Sequence, residues 1–60
     1  MEWAVGDLLM LPEYEDFILE VFAIDDCYLL DKYKGGGDSL LPVSFQEMKK
    51  AVKVNLNKGE

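Results

Sequence analysis

Carboxylates are the most abundant chemically active groups in this chain, with twelve acidic side chains against six basic ones. Glu13, Glu15 and Asp16 form one cluster of oxygen donors, and Asp25 with Asp26 forms a second, and calcium binds such oxygens. Neither cluster has the alternating Asp/Asn spacing, the glycine and the closing Glu of a calcium-binding loop. A zinc site needs several Cys or His ligands, whereas this chain has one Cys and no His. The sequence therefore predicts no metal site and no cofactor.

The sequence has no histidine, the base that usually activates a serine nucleophile. Proton transfer at neutral pH usually recruits His, so Ser39 and Ser44 have no imidazole base. A chain of 60 residues is also too short to wall a cleft in which two carboxylates could act on a sugar. Cys27, the lone thiol, is interpreted as a small strand residue. We expect a protein that is not an enzyme.

Charge is distributed unevenly along the chain. Residues 1–31 contain nine acidic residues and no basic ones, whereas residues 32–60 contain six lysines and three acidic residues. Phosphate contacts are made by Lys and Arg, so an acidic chain without Arg is not expected to bind nucleic acid directly. The acidic half predicts a protein partner with a basic surface, towards which charge would steer it. Neutralisation of the acidic half by the Lys-rich half, within the fold, is the alternative.

Length and hydropathy predict a single domain over residues 1–60, with an ordered core at 3–56 and a frayed tail at 57–60. No uncharged run approaches the ~20 residues of a membrane helix, and the first residues lack a signal-peptide pattern. A lone Cys fits a reducing compartment. We therefore expect a cytoplasmic protein with no membrane partner.

Apolar runs separated by turn residues predict strands. The first strand is expected at Asp7–Leu11, and a polar loop begins at Pro12. The runs Asp16–Ile24 and Cys27–Tyr33 flank Asp25-Asp26 and predict a β-hairpin in which paired residue numbers sum to 51. In that register Ala23 opposes Tyr28.

The hairpin register sorts the side chains into two faces, because neighbours along a strand point to opposite sides. The predicted core face contains Phe17, Leu19, Val21, Ala23, Tyr28, Leu30 and Lys32. The other face is mixed and contains Ile18, Glu20, Phe22, Ile24, Cys27, Leu29, Asp31 and Tyr33. Glu20 and Asp31 are expected to oppose each other, a like-charge pair that destabilises the sheet mildly unless a cation lies between them.

The second half of the chain predicts shorter elements. Gly35–Asp38 is interpreted as a flexible connection, and Pro42 indicates an edge position for a strand at Ser39–Val43. Ser44 and Glu47 have the spacing of a capping box, which predicts a helical turn that ends near residue 50.

The final strand is predicted from apolar residues that alternate with polar ones. Val52, Val54 and Leu56 are expected to be buried, and Lys53 and Asn55 to be exposed.

This order of elements, with the opening Trp3-Ala4-Val5-Gly6-Asp7, resembles a small SH3-like barrel. The resemblance implies a mainly β fold of five antiparallel strands in a partly open sheet, with one short helical turn before the last strand. An α+β layer with a three-stranded sheet and a helix is the alternative. The chain lacks the aromatic and proline-contact pattern of proline-binding SH3 domains, so that function does not carry over.

In size and charge the chain also resembles small acidic accessory proteins of bacterial viruses, some of which inhibit host nucleic-acid enzymes by occupying a basic groove. The hypothesis is therefore a small acidic protein-binding module that inhibits or modulates a partner by docking on its basic surface. The predicted contact residues are Ile18, Glu20, Phe22, Leu29, Asp31 and Tyr33. The predicted acidic rim contains Glu13, Glu15, Asp16, Asp25 and Asp26.

Two alternatives use the same face. In the first, the chain's own helical turn or N-terminal segment covers it, and Lys49, Lys50 or Lys53 neutralises the carboxylates. In the second, the protein is structural and forms a homo-oligomer through the apolar residues of the hairpin.

Overall fold

Five antiparallel strands form one sheet in the computed structural model, which describes residues 3–55. The strands are β1 (Leu8–Met10), β2 (Leu19–Ile24), β3 (Tyr28–Lys32), β4 (Leu41–Val43) and β5 (Val52–Lys53). Their order in the sheet is β4-β3-β2-β1-β5, so β4 and β5 are its two edges and the sheet is not closed. The predicted mainly β fold is confirmed, and the three-stranded α+β alternative is not what forms.

Short 3-10 helices lie in two of the connections. The first, Pro12–Tyr14, begins at a proline whose fixed φ suits the start of a helix. The second, Glu47–Lys50, precedes β5 as predicted. The Glu47 amide donates a hydrogen bond to the Ser44 hydroxyl at 3.1 Å, which confirms that half of the capping box. Pro42 lies in β4, an edge strand where a missing amide hydrogen is tolerated.

One face of the sheet is covered by the core. Its buried apolar side chains are Leu9, Leu11, Leu19, Val21, Tyr28, Leu30, Val43 and Met48. Leu11 and Met48 come from connecting segments rather than strands, so these segments form the second layer. Full burial of such a side chain contributes ~1.5–3 kcal/mol, which makes this cluster the main source of stability.

The hairpin of β2 and β3 follows the predicted register only in its first half. Val21 opposes Leu30 as expected, but Ala23 opposes Leu29 and Ile24 opposes Tyr28. The prediction that Ala23 opposes Tyr28 is therefore wrong.

The cause is a β-bulge at Phe22, which inserts one extra residue in β2 and leaves a three-residue turn at residues 25–27. The bulge moves Ile24 to the core face, where it packs against the buried cluster, and moves Ala23 to the opposite face. Burial of the larger side chain removes more apolar area from water, which favours this arrangement.

The core face of the hairpin does not extend to the two predicted residues farthest from the turn. Phe17 is 39% exposed and Lys32 is exposed, so neither belongs to the core. The two side chains contact each other instead, with the Lys32 Nζ 5.3 Å from the centre of the Phe17 ring.

The prediction for the last strand is wrong for Val52, whereas Lys53 and Asn55 are exposed as predicted. Val52 is 65% exposed and opposes Met10, whereas Lys53 opposes the fully buried Leu9. The Lys53 ammonium lies 5.1 Å from the centre of the Trp3 ring and 3.6 Å from the Asp7 carboxylate, so its stem can cross the edge of the core while its charge stays in water. Val54 is half-buried. Leu56 and the predicted tail at 57–60 lie outside the described residues.

Candidate functional site

The predicted contact residues lie together on the face of the sheet opposite the core, here called the outer face. Because strand residues alternate, the register places on it Leu8, Met10, Ile18, Glu20, Phe22, Ala23, Leu29, Asp31, Tyr33, Pro42 and Val52. All six predicted contact residues are in this set. Ile24, predicted for the same face, is not, because of the bulge.

Exposed aromatic side chains lie at two points of the outer face. Phe22 is 49% exposed and Tyr33 is 39% exposed. Ile18 and Leu29 on the same face are half-buried. The Tyr33 amide donates to the Ile18 carbonyl at 2.8 Å, which extends the β2–β3 ladder beyond the strand ends and holds the main chain of Tyr33 in place.

Glu20 and Asp31 oppose each other directly on β2 and β3, as predicted. Asp31 is only 7% exposed, and each of its carboxylate oxygens accepts a backbone hydrogen bond. Oδ1 accepts from the Lys32 amide at 2.8 Å, and Oδ2 accepts from the Gly37 amide at 2.7 Å. Asp31 is thus held by the chain's own backbone, an arrangement that the sequence interpretation did not include.

The surroundings of the Glu20 carboxylate differ from those of Asp31. It is half-buried, with Leu8 opposite it on β1 and Asp31 opposite it on β3. Within residues 3–55 its carboxylate has no hydrogen-bond donor and no lysine partner. The outer face therefore presents one carboxylate that is bonded by backbone amides beside one that is available.

The glycine loop, Gly35–Gly37, folds against this pair. A Cβ atom at position 35 would lie 2.6 Å from the Asp31 Oδ1 atom, which is closer than atoms can approach. Gly37 has a φ of +82°, and a Cβ there would lie 3.2 Å from the Phe22 ring. Glycine at these positions lets the backbone reach Asp31 and Phe22, so the segment interpreted as a loose connection closes over one end of the outer face.

Among residues 3–55, Lys32, Lys34 and Lys53 contact groups other than Glu20 and Asp31. Within the described part of the chain the one ion pair is Lys53 with Asp7. Lys32 and Lys34 lie over the rings of Phe17 and Tyr33, and Lys49 and Lys50 are exposed on the second 3-10 helix. The alternative of internal neutralisation required a lysine paired with Glu20 or Asp31. Within the described residues no lysine forms such a pair.

The predicted acidic rim is divided between the two ends of β2. Glu13, Glu15 and Asp16 are exposed in and after the first 3-10 helix, and Asp25 and Asp26 are exposed in the hairpin turn. The six residues of β2 separate these groups by roughly 20 Å, at about 3.3 Å per residue. The rim is therefore two acidic patches rather than a ring.

Sequence reasoning missed several members of the outer face. Leu8 and Met10 are half-buried there, and Pro42 and Val52 are exposed. β1 has apolar residues on both sides, because Leu8 and Met10 alternate with Leu9 and Leu11. This pattern predicts that Leu8 and Met10 lie on the face opposite Leu9.

Other chemistry is limited in the described residues. Among residues 3–55 no group of three or more His, Cys, Asp or Glu side chains could hold a metal ion. Within the same range no helix is long and apolar enough to cross a membrane. Cys27 is a free, half-buried thiol in the hairpin turn.

No protein family, curated protein or solved structure gives a significant match to this chain.

Proposed function

We propose that this chain is a small acidic protein-binding module that docks its outer face on the basic surface of a partner protein and thereby inhibits or modulates that partner. The observation that carries the proposal is Glu20, a half-buried carboxylate without a partner in the described residues, on a face with exposed aromatic side chains. Interfaces combine such aromatic anchors with charged groups that are paired on contact.

Phe22 and Tyr33 are the proposed anchors. Aromatic residues dominate the binding energy of many interfaces, and both of these are already held by the fold. The Phe22 ring lies against Gly37, and the main chain of Tyr33 is held by its bond to Ile18. The main chain at both positions is thus ordered before binding, which favours affinity.

Glu20 is the proposed acceptor for a Lys or Arg of the partner. A charge-assisted hydrogen bond is stronger than a neutral one, and Glu20 has its oxygens available for it. Asp31 contributes its negative charge, while its oxygens stay bonded to the loop. A cation above the pair also removes the repulsion between the two carboxylates.

A partner of opposite charge fits better than a second copy of this chain. The chain carries a net charge of −6, and contact through the outer face would bring two such faces together. Like charges oppose that association, whereas they accelerate an encounter with a basic surface. We therefore rank homo-oligomerisation second.

Several parts of the proposal rest on the sequence. The absence of His favours binding over catalysis, and a lone Cys27 fits the cytoplasm. Nucleic-acid enzymes are one class of partner with basic grooves, and an acidic module seated there would compete with phosphate. The resemblances to SH3-like barrels and to acidic viral accessory proteins remain predictions.

The test begins with matched baits. Wild-type protein and the Phe22→Ala variant are used to capture partners from an extract of the source cells, and proteins retained by wild type alone are identified by mass spectrometry. Affinity for the purified candidate is then measured by calorimetry. We expect Phe22→Ala and Glu20→Gln each to weaken binding at least tenfold, and Asp38→Asn, an exposed change outside the outer face, to leave it unchanged.

Two results would contradict the proposal. One is a candidate partner whose affinity is unaffected by changes at Phe22 and Glu20. The other is a stable dimer of the wild-type chain at low micromolar concentration in sedimentation, dispersed by Phe22→Ala, which would establish self-association through this face.

A further inference from the structure

A pocket at the core side of the sheet has one lining residue, Asp31, in common with the outer face. It has a volume of about 180 Å³ and is open to solvent. Its apolar walls are Tyr14, Phe17, Leu19, Leu30 and Leu41, at the end of the core face where the buried cluster stops. Its polar lining residues are Asp31, which is buried, and Lys32 and Ser39, which are exposed. We call it the anchor pocket.

The size of the anchor pocket suits a single apolar group. A cavity of about 150 Å³ is known to hold benzene, whereas sites for drug-sized molecules start at about 300 Å³. One wall is aromatic, because the Tyr14 and Phe17 rings lie 6.3 Å apart at an angle of 36°. One leucine or phenylalanine side chain would fill this volume.

The residues that form the aromatic wall alternate with acidic ones. Tyr14 and Phe17 are separated and preceded by Glu13, Glu15 and Asp16, all of which are exposed. The pocket is lined by one cation, Lys32, whose ammonium already lies over the Phe17 ring, and by one carboxylate, Asp31. The surroundings of this apolar pocket are therefore predominantly negative.

We propose that the anchor pocket binds a short segment of a partner protein in which one leucine or phenylalanine is flanked by Lys or Arg. The apolar side chain enters the pocket, and the flanking cations meet Glu13, Glu15 and Asp16. The acidic residues then act in both steering and specificity, because an apolar side chain with acidic neighbours would be repelled. The inference does not rest on the outer-face proposal, since Asp31 is the one residue that the two sets share and the peptide contacts proposed here do not involve it.

A second copy of this chain is the closest competing occupant. Its segment 49–53 is rich in lysine and exposes Val52. Valine is small for a volume of about 180 Å³. The overall negative charge also opposes it. The foreign segment is thus the better fit.

The test uses synthetic five-residue peptides with two lysines on each side of a central residue. Backbone amide chemical shifts of the isotopically labelled full chain are followed during titration. With phenylalanine or leucine at the centre, we expect saturable shifts centred on Tyr14, Phe17 and Leu41. Replacing the central residue by alanine, or the lysines by glutamates, should weaken binding at least tenfold.

Variants of the protein separate this pocket from the outer face. Ser39→Trp should fill the mouth and abolish peptide binding, and Phe17→Ala should weaken it at least tenfold. Phe22→Ala is the matched control, since Phe22 lies on the opposite face, and it should leave peptide affinity unchanged. Circular dichroism shows whether each variant is folded. If Phe17→Ala is unfolded, the test depends on Ser39→Trp.

Four outcomes would overturn the proposal. The first is no saturable binding below about 1 mM, a free energy of only about −4.1 kcal/mol. The second is equal affinity for the peptide with alanine at its centre, which would mean that charge alone causes the binding. The third is equal binding of benzene without any gain from lysines, which would make this a small-molecule pocket. The fourth is concentration-dependent shifts of the same residues without peptide, which would assign the pocket to a second copy.

Discussion

Asp31→Asn is the change for which the structure makes the sharpest prediction. The substitution keeps the size of the side chain but leaves one acceptor oxygen where there were two. Because the Lys32 and Gly37 amides each donate to a separate oxygen, one of them would face the NH2 group of Asn instead. That bond is lost, and the other becomes a bond to a neutral group.

The magnitude follows from these two bonds. A hydrogen bond to a charged group contributes ~1.5–3 kcal/mol, and a neutral one about 1 kcal/mol. Relief of the repulsion from Glu20 returns a few tenths of a kcal/mol, and water at the exposed loop replaces part of the rest. We expect a net loss of about 2 kcal/mol from a total stability of about 3–9 kcal/mol for 60 residues. The melting temperature should fall by roughly 8–16 °C.

Urea unfolding measures this loss, with the fluorescence of the single Trp3, which packs against the core, as the signal. Hydrogen exchange at Gly37 should become faster in the variant, because its amide loses its acceptor or keeps a weaker one. Asp38→Asn is the control, since it removes the same charge from an exposed position nearby and should change stability by less than about 0.5 kcal/mol. An Asp31→Asn protein as stable as Asp38→Asn, with unchanged exchange at Gly37, would refute the role assigned to Asp31.

The remaining predictions concern the bulge, the cap and the charge. Ile24→Ala should destabilise the protein by about 1–2 kcal/mol because Ile24 packs on the core, whereas Ala23→Ser should be nearly neutral; equal effects in urea unfolding would argue against the bulge. Ser44→Ala should cost ~0.5–2 kcal/mol by removing the acceptor of the Glu47 amide, and rescue by Ser44→Asp would confirm the cap. The association rate with an outer-face partner should fall as salt rises, and Asp25→Lys should slow it further in surface plasmon resonance; a salt-independent rate would exclude electrostatic steering.

Local patterns in the sequence were sufficient for the β class and for part of the site. Alternating apolar residues and turn signals predicted the five strands, Pro42 predicted an edge strand, and Ser44 with Glu47 predicted the start of a helical turn. The opposition of Glu20 and Asp31 was also predictable, because a hairpin pairs residues that are close along the chain. These features depend on neighbours within about a dozen residues.

Tertiary structure decided what depends on packing between distant segments. The bulge that exchanges Ala23 for Ile24 on the core face is favoured by contact with a core assembled from the whole chain. The face that β5 presents depends on its pairing with β1, more than forty residues earlier, and not on its own alternation.

The role of Asp31 is the clearest example for function. Residue type and register suggested a carboxylate offered to a partner, but the glycine loop turns back and donates a backbone amide to it. No local pattern encodes that contact, because it forms only where the loop can approach a nearly buried carboxylate without a Cβ in the way. Glu20 has no such loop beside it, so two carboxylates in equivalent positions of the pattern acquire different roles.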